Sequence, residues 1–479
     1  MPGLVSGQAP TEKLGGFDFY REVLGSPKYV VAPMVDQSEL AWRTLSRRYG
    51  AQLAYTPMIN VKMYADMSHT TFREKNFNTV LGEEGCPADR PLIVQLCGHD
   101  PEKMLATAKC LEAHCDAIDI NLGCPQDVAR RGHYGSFLQD EWDLIYELIN
   151  TLHKNLKVPV TAKFRVFPTV EKTVAYAQML ERAGAQILTC HGRTREQRAQ
   201  KAGLADWAKI RAVKQAVKVP VFANGNVLFY GDIEKCLEAT GADAVMSAEG
   251  NLYNPALFCP APSLPECSRD ASPTSPPPMP TDGPLAGLLG LHPPHAQLAR
   301  EYLDIVKTQK TPTSPSAVKG HLFKLMRPAL GREKDLREML GKAHINASKG
   351  PEAWAPYEEV VEEMRVRMER DAKAAGGKTL EELITYEPTT GLPVLPHWLA
   401  QPYFRPLPPP DPNQKAAPPT QKAHQVPPAE REEAVQCPEE TGCPQPPASA
   451  SGPEPEALPS KRTTEGDEEE SDVKRAKVA

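Results

Sequence analysis

Between residues 28 and 250 the sequence repeats one unit eight times: a short apolar run rich in β-branched residues, then a longer segment. The eight runs cover 28–34, 51–58, 91–98, 117–125, 158–166, 185–193, 219–227 and 242–250. Because they are apolar almost throughout, they predict strands buried on both faces, as in a parallel sheet. Eight such units match a (β/α)8 TIM barrel in number and length.

The segments between the runs carry helix signals. Asp100 and Pro101 form an N-cap followed by a first-turn proline, and Gly184 ends an amphipathic stretch as a C-cap glycine does. The main alternative fold is a doubly wound sheet. That fold usually has fewer strands and a Gly-x-Gly-x-x-Gly turn after the first strand, which this sequence lacks. We therefore predict an α/β fold built on a TIM barrel.

Composition divides the chain into five regions. They are an N-terminal arm (1–27), the barrel (28–259), a Pro/Ser-rich insertion (260–294), a helical domain (295–400) and an acidic, Pro-rich tail (401–479). The insertion and the tail lack apolar periodicity, which predicts disorder. The tail holds 14 acidic and 9 basic residues, so most of the net charge of −6 belongs to it. A polyanionic partner would therefore meet local basic patches on a nearly neutral folded part.

Three classes of protein are disfavoured. No apolar stretch approaches the length of a membrane span, and the N-terminus has no apolar segment of a secretory signal. The 11 cysteines show no Cys-x-x-Cys pair and no metal-ligand spacing. We therefore expect free thiols in a reducing compartment, no membrane partner and no metal.

Polar residues follow most of the predicted strands, at the ends that face the active site of a barrel. They are Gln95, Asn121 with Cys124, Lys163 with Arg165, His191 with Arg193, and Asn224 to Asn226. Buried without partners, such groups would each cost about 1–3 kcal/mol, so we predict a polar, planar ligand. Amide side chains suit the edge of a flavin, and Lys163 suits negative charge on its ring. Gly225 lets backbone amides approach a phosphate.

Cys124 stands between Gly123 and Pro125, two residues that constrain the turn after the fourth run. It admits two interpretations. One is a small packed thiol, the usual state of a free cysteine. The other is a proton donor, since a thiol with a pKa of about 8.5 is mostly protonated at neutral pH.

Six motifs occur in order along the barrel. They are APM at 32–34, the Gln95 of VQLCG, DINLGCP at 119–125, the Lys163 of TAKFR, HGRT at 191–194 and ANGN at 223–226. As an ordered set they resemble the tRNA-dihydrouridine synthases, FMN-dependent barrels that reduce uridine in tRNA. Longer runs such as RRGHYGSFLQDEWD at 130–143 resemble the eukaryotic branch that acts on positions 16 and 17 of the D-loop.

The resemblance implies roles for individual residues. It places FMN against Pro33, Met34, Val35, Gln95, Lys163, His191, Asn224, Gly225, Asn226, Ala248 and Glu249. The last two stand where many relatives have Gly-Arg, which leaves that part of the site open. The resemblance further implies that NADPH or NADH reduces FMN, that hydride reaches uracil C6, and that Cys124 protonates C5.

The same resemblance implies tRNA as the partner. The enzyme must pull a base from its stack, and phosphate contacts would supply part of that energy. The residues expected at the substrate are Asn121, Arg130, Arg131, Arg165 and Arg193. Residues 295–400 resemble the helical tRNA-binding domain of the family.

Two basic pairs in the tail bear on location. Lys461-Arg462 and Lys474-Arg475 are spaced like a bipartite nuclear signal, although a charged solubilising tail would look similar. We expect the protein in the nucleus and the cytoplasm.

Two other functions fit fewer features. A flavin barrel acting on free pyrimidines, such as a dihydropyrimidine or dihydroorotate dehydrogenase, would need neither the rim arginines nor the helical domain. A tRNA-binding protein with a decayed flavin site is supported only by Ala248-Glu249 and is opposed by Cys124, Lys163 and the Asn-Gly-Asn turn.

Overall fold

The computed structural model describes residues 13–198, 202–260, 288–345 and 347–404. Its centre is a closed barrel of eight parallel strands, which confirms the predicted fold. The strands are β1 (Tyr29–Val31), β2 (Leu53–Tyr55), β4 (Leu92–Cys97), β5 (Ala117–Leu122), β6 (Val160–Arg165), β7 (Leu188–His191), β8 (Val221–Asn224) and β9 (Ala244–Ser247), with a short β3 (Ile59–Asn60) paired to β4. They pair in the order β2-β1-β9-β8-β7-β6-β5-β4, and β2 also pairs with β4 to close the barrel. Each of the eight lies within one of the predicted apolar runs.

The inside of the barrel changes from apolar to polar along the strands. Near their amino ends a buried cluster contains Val30, Leu53, Ile93 and Phe222, together with Phe19 from the N-terminal segment. One step further towards the carboxyl ends, the buried side chains are Gln95, Asp119, Thr161 and Thr189. The carboxyl ends of the strands, which we call the mouth, therefore stand on a polar floor.

Helices surround the barrel and continue beyond it. Those of the barrel region are α1 (Gly16–Asp18), the π-helix Phe19–Val23, α2 (Leu40–Arg48), α3 (Val61–Tyr64), α4 (Thr70–Asn76), α5 (Pro101–Leu111), α6 (Asp127–Gly132), α7 (Trp142–Asn155), α8 (Val170–Ala183), α9 (Trp207–Ala216), α10 (Gly231–Thr240) and α11 (Glu249–Tyr253). Short 3-10 helices cover Pro87–Asp89, Glu112–His114, Gly135–Leu138 and Pro255–Phe258. The Asp100 side chain accepts from the backbone N–H groups of Glu102 and Lys103, and Gly184 ends α8 in the left-handed region, as predicted.

A set of helices follows the insertion, and the first of them packs on α2. They are α12 (His295–Thr308), α13 (Pro315–Leu325), α14 (Arg327–Leu330), α15 (Lys334–Lys342), α16 (Ala355–Ala374) and α17 (Leu380–Leu383), followed by the hairpin of β10 (Thr385–Tyr386) and β11 (Pro393–Val394). Glu39 receives hydrogen bonds at 2.6 Å from the Tyr302 hydroxyl and at 3.1 Å from Nε2 of His321. The His321 ring stacks on Trp42 with centroids 4.1 Å apart. The helices and the barrel thus share a buried interface with its own polar contacts.

Parts of the predicted arm, insertion and tail are described. From Lys13 onward the arm packs on the barrel, where the Tyr20 hydroxyl donates to the Asp243 carbonyl at 2.9 Å. In the insertion, Leu289 is buried and the backbone carbonyl of Leu291 accepts from Asn254 at 2.9 Å. Residues 1–12, 261–287 and 405–479, to which the predictions of disorder mostly refer, lie outside the described residues.

No helix in the described ranges is long and apolar enough to cross a membrane. Within those ranges, no group of three or more His, Cys, Asp or Glu side chains is arranged to hold a metal ion.

Candidate active site

A chain of hydrogen bonds rises from the floor of the mouth to Cys124. On β5, one oxygen of the Asp119 carboxylate accepts from Thr161 at 2.7 Å and the other from the Gln95 amide at 2.8 Å. The Gln95 oxygen accepts from the Asn121 amide at 2.8 Å. The Asn121 oxygen accepts from the backbone N–H groups of Gly123 and Cys124, at 3.1 and 2.9 Å. Strand register builds this chain, because Gln95 of β4 lies beside Asp119 of β5.

The Gly-Cys-Pro turn holds Cys124 partly buried at the mouth. The carbonyl of Cys124 accepts from both the backbone and the hydroxyl of Ser136, each at 3.0 Å. Gly135 has φ +68°, and a Cβ there would lie 2.7 Å from the Cys124 carbonyl oxygen, so this residue must be small. Burial raises the pKa of the Cys124 thiol. The thiol therefore carries its proton at neutral pH, as a general acid must.

Lys163 lies on β6, the strand beside β5, which leads into the Cys124 turn, and its register partner on β5 is Asn121. Its ammonium donates to the Asn224 side-chain oxygen at 3.0 Å, and the Asn224 amide donates to the Met246 carbonyl at 2.9 Å. Burial, followed by repulsion from Arg165, lowers the pKa of Lys163 to about 8. At neutral pH the mouth thus holds a cation whose neighbour is a neutral amide.

The guanidinium groups of two nearby arginines, Arg165 and Arg193, form hydrogen bonds within the protein. Arg165 donates to the carbonyls of Gly123, Thr194 and Gln197 at 2.8–3.0 Å. Arg193 donates to the Gly203 carbonyl at 2.9 Å and to the Asn226 side-chain oxygen at 2.8 Å. Both guanidinium groups therefore fix the loop after β7. Their predicted contacts with substrate stay predictions.

His191 is a neutral acceptor in this site. Nη1 of Arg193 lies 3.2 Å from its Nε2. Since a guanidinium has no acceptor atom, Nε2 accepts and Nδ1 carries the ring proton. Burial, together with the positive charges of Lys163, Arg165 and Arg193, lowers the pKa of His191 well below its ordinary value.

The Asn-Gly-Asn turn after β8 packs closely on the loop before α9. Gly225 has φ +116°, and a Cβ there would lie 2.6 Å from Cβ of Ala205. The indole N–H of Trp207 donates to the Gly225 carbonyl at 3.0 Å. The Asn226 side chain bonds both the N–H and the carbonyl of Ala205, at 3.1 Å each. These contacts shape a turn of backbone amides at the mouth.

The other predicted residues surround the mouth. Pro33 and Met34 are half-buried and Val35 is exposed, in the loop after β1. Ala248 and Glu249 begin α11 after β9. The last turn of α6 carries Arg130 and Arg131, which are exposed.

The sequence reasoning did not single out Asp119 or Thr161 as part of the site. A charged residue inside the apolar run AIDINL was the available signal for Asp119. Thr161 gave none, since threonine is common in strands.

Comparison with known proteins gives consistent matches. A family model described as dihydrouridine synthase matches residues 30–277. A tRNA-dihydrouridine(16/17) synthase of Saccharomyces cerevisiae, named with NAD(P)(+), is 46% identical over 404 residues, which cover 83% of this chain and 88% of the yeast protein. A protein of the same name in Schizosaccharomyces pombe is 42% identical over 83% of this chain and 92% of its own. A Mus musculus protein named as similar to these enzymes is 45% identical over 83% and 72%.

Proposed function

The chain belongs to the dihydrouridine synthase family, and from this premise we propose that it reduces uridines at positions 16 and 17 of the tRNA D-loop. The reaction is the reduction of uridine to 5,6-dihydrouridine, with FMN as cofactor and NAD(P)H as reductant. The observation that carries the assignment to this site is the placement of a protonated thiol, Cys124, and a cation, Lys163, at one barrel mouth.

The donors of the mouth fit FMN. Gln95 uses one N–H for Asp119, and among the described residues its second N–H has no partner. Lys163 offers a positive charge, and the closely packed turn at Gly225 offers backbone amides. A flavin presents carbonyl oxygens and ring nitrogens on one edge and a phosphate at the far end. We assign Gln95 and Lys163 to the ring, and Asn224, Gly225 and Asn226 to the phosphate side.

The residues of the chain then have separate tasks. Bound FMN supplies the hydride that uracil receives at C6. Cys124 donates a proton to C5 on the other side of the double bond, which its protonated thiol is suited to do. Lys163 stabilises negative charge at the ring, and Arg165 holds the Gly123 carbonyl and thus the turn that carries the thiol.

We propose that tRNA reaches the mouth across a basic cavity on its β9–β1 side. This cavity, of about 370 Å³, lies between α11 and helices α13 to α15. It is lined by Tyr253, Gly320, Phe323, Lys324, Arg327, Leu330, Gly331 and Arg337. The Lys324 ammonium donates to the side-chain oxygen of Gln37 at 2.6 Å, which joins the cavity to the loop after β1.

The charges of this basic cavity support a phosphate contact. Within the described ranges, neither Arg327 nor Arg337 forms an ion pair with a carboxylate. The Arg327 guanidinium lies 3.5 Å from the centroid of the Tyr403 ring, which restricts its motion. Backbone phosphates of tRNA would supply the missing negative charge.

Arg130 and Arg131 are proposed as a second contact. Arg130 pairs with Asp127 at 3.6 Å, and both side chains are more than 60% exposed. Exposed pairs of this kind stabilise little, so a phosphate can replace the carboxylate at small cost.

We also propose that the protein is located in the nucleus and the cytoplasm, a proposal that rests on the basic pairs of the tail.

Substitution of Cys124 tests the proposed chemistry. Cys124→Ser should keep its FMN and accept hydride from NADPH, because neither step uses the thiol. Single-turnover formation of dihydrouridine in unmodified tRNA should fall by about 10²-fold or more, the contribution of a general acid. Nucleoside mass spectrometry measures the product.

Cys86→Ser is the matched control. Cys86 is also half-buried, but it lies before β4, at the other end of the barrel. Its substitution should leave the rate unchanged. Equal product yields from Cys124→Ser and Cys86→Ser would refute the assignment. Reduction of free uracil as fast as of tRNA would contradict the proposed substrate.

A further inference from the structure

The hydrogen-bond chain between Asp119 and Cys124 has only one possible direction. At its upper end, the backbone N–H groups of Gly123 and Cys124 can only donate, so Asn121 must present its oxygen to them. The Asn121 NH2 group then faces Gln95, which must answer with its own oxygen. The NH2 group of Gln95 consequently faces Asp119. An ionised carboxylate is an obligate acceptor, so the lower end enforces the same direction.

We propose that Asp119 is a positioning residue: its carboxylate holds Gln95 and Asn121 in the orientation that directs a Gln95 N–H to the flavin and fixes the Cys124 turn. This inference rests on the proposed function and adds to it a residue beneath the site. Asp119 is fully buried, and touches neither the thiol nor any surface a substrate could reach.

The alternative is that Asp119 only stabilises the barrel. The two ideas differ in which substitutions matter. In Asp119→Asn, the amide oxygen still accepts from Gln95, while the new NH2 group faces Thr161, whose hydroxyl can turn and accept. In Asp119→Leu, which keeps a branched shape but is larger, Gln95 loses its acceptor, and Gln95 and Asn121 are then held only from the upper end of the chain. A positioning role therefore predicts that Asn preserves function and Leu does not.

Thr161→Val is the matched control. It removes a hydrogen bond to the other oxygen of the same buried carboxylate, and leaves the Gln95 contact intact. If the substitutions act only by destabilising the floor, Thr161→Val and Asp119→Leu should change the reactivity of Cys124 and the formation of dihydrouridine in the same way. If they act through the orientation of the two amides, only Asp119→Leu should change them.

The first readout needs no catalysis. Alkylation of Cys124 by a maleimide is followed by peptide mass spectrometry on the FMN-loaded protein without tRNA. We expect faster alkylation in Asp119→Leu, because Asn121, which bonds the turn, is itself held less firmly, and unchanged rates in Asp119→Asn and Thr161→Val. Equal alkylation rates in all four proteins, wild type included, would overturn the proposal.

The second readout separates the two half-reactions at saturating FMN. With pre-reduced enzyme, dihydrouridine formation by Asp119→Leu should fall by about 10²-fold, the effect expected when a reacting group is misplaced by about 1 Å. Asp119→Asn should restore most of that rate. A uniform loss in Asp119→Asn and Asp119→Leu would instead assign the effect to the charge and overturn the orientation argument.

A second substitution covers the case in which Asp119→Leu does not fold. Gln95→Met breaks the next link of the chain and leaves the Asp119–Thr161 hydrogen bond in place. It should accelerate Cys124 alkylation in the same way, and a wild-type rate would overturn the proposal. If wild-type protein forms no dihydrouridine, the proposed function fails, while the alkylation comparison still decides the role of Asp119.

Discussion

Gly225→Ala is the substitution whose cost follows most directly from the geometry of the mouth. Gly225 adopts φ +116°, where a side chain is strained by about 1–3 kcal/mol. The added Cβ would also lie 2.6 Å from Cβ of Ala205 and 3.2 Å from Cδ2 of His191. Overpacking of this kind costs a further 1–3 kcal/mol or so. We expect the free energy of unfolding to fall by about 2–6 kcal/mol.

The two contributions can be separated in a double-mutant cycle. Ala205→Gly removes the nearest contact and leaves the backbone strain, so in the double variant about 1–3 kcal/mol should be recovered. Chemical denaturation of the four proteins measures the free energies, and the flavin retained after purification shows whether the Asn-Gly-Asn turn keeps its ligand. A single variant within about 0.5 kcal/mol of wild type, the range of an ordinary surface substitution, would refute the reasoning. So would a pairwise coupling of zero, which would show that the two Cβ atoms do not meet.

Further predictions concern the charge of the mouth, the basic cavity and the segments outside the described residues. Lys163 is protonated below its pKa of about 8, so flavin reduction by NADPH should decline as the pH rises through that value. Lys163→Arg should shift this decline to higher pH, and a decline at the same pH in Lys163→Arg would contradict the assignment. Replacing the three cations of the basic cavity by glutamine should raise KM for tRNA and lower the slope of log K against log salt by about one per lost phosphate contact, whereas flavin reduction without tRNA stays the same. Deletion of 262–286 or truncation after Phe404 should leave the thermal midpoint and flavin content unchanged, because neither change removes a residue packed in the described structure. The same truncation should reduce nuclear accumulation, as fluorescence microscopy of tagged protein would show.

The barrel was predictable because its signal is local and repeated. Each strand of a parallel barrel is buried on both faces, so a run such as PLIVQLCG reveals β4 without knowledge of its neighbours. Caps such as Asp100 and Gly184 are local in the same sense. The π-helix Phe19–Val23 could not be predicted from local sequence in this way, because it is only a few residues long. Phe19 becomes a core residue only because this segment docks under the barrel.

Some boundaries depended on contacts between distant segments. The Pro/Ser-rich composition of 260–294 suggested one continuous insertion. The structure instead uses the end of this segment: the His292 ring bonds the Ala400 carbonyl at 2.6 Å, and Leu289 packs in a cluster with Leu395 and Leu399. Nothing within the segment itself reveals partners that lie about 100 residues away in the sequence.

The site was predictable as a set of residues but not as a set of roles. Three cations stand at the carboxyl ends of β6 and β7: Lys163 and Arg165 within β6, and Arg193 just after β7. Residue type alone makes each an equal candidate for a phosphate or a flavin. The structure distinguishes them by their partners. Arg165 and Arg193 use their guanidinium groups on carbonyls of Gly123 and Gly203 and on Asn226, so their charge holds loops. Lys163 binds only the side-chain oxygen of Asn224 among the described residues, and an ammonium has two further donors. One cation in three is thus left to meet a ligand, and it is the one whose register partner on β5 is Asn121.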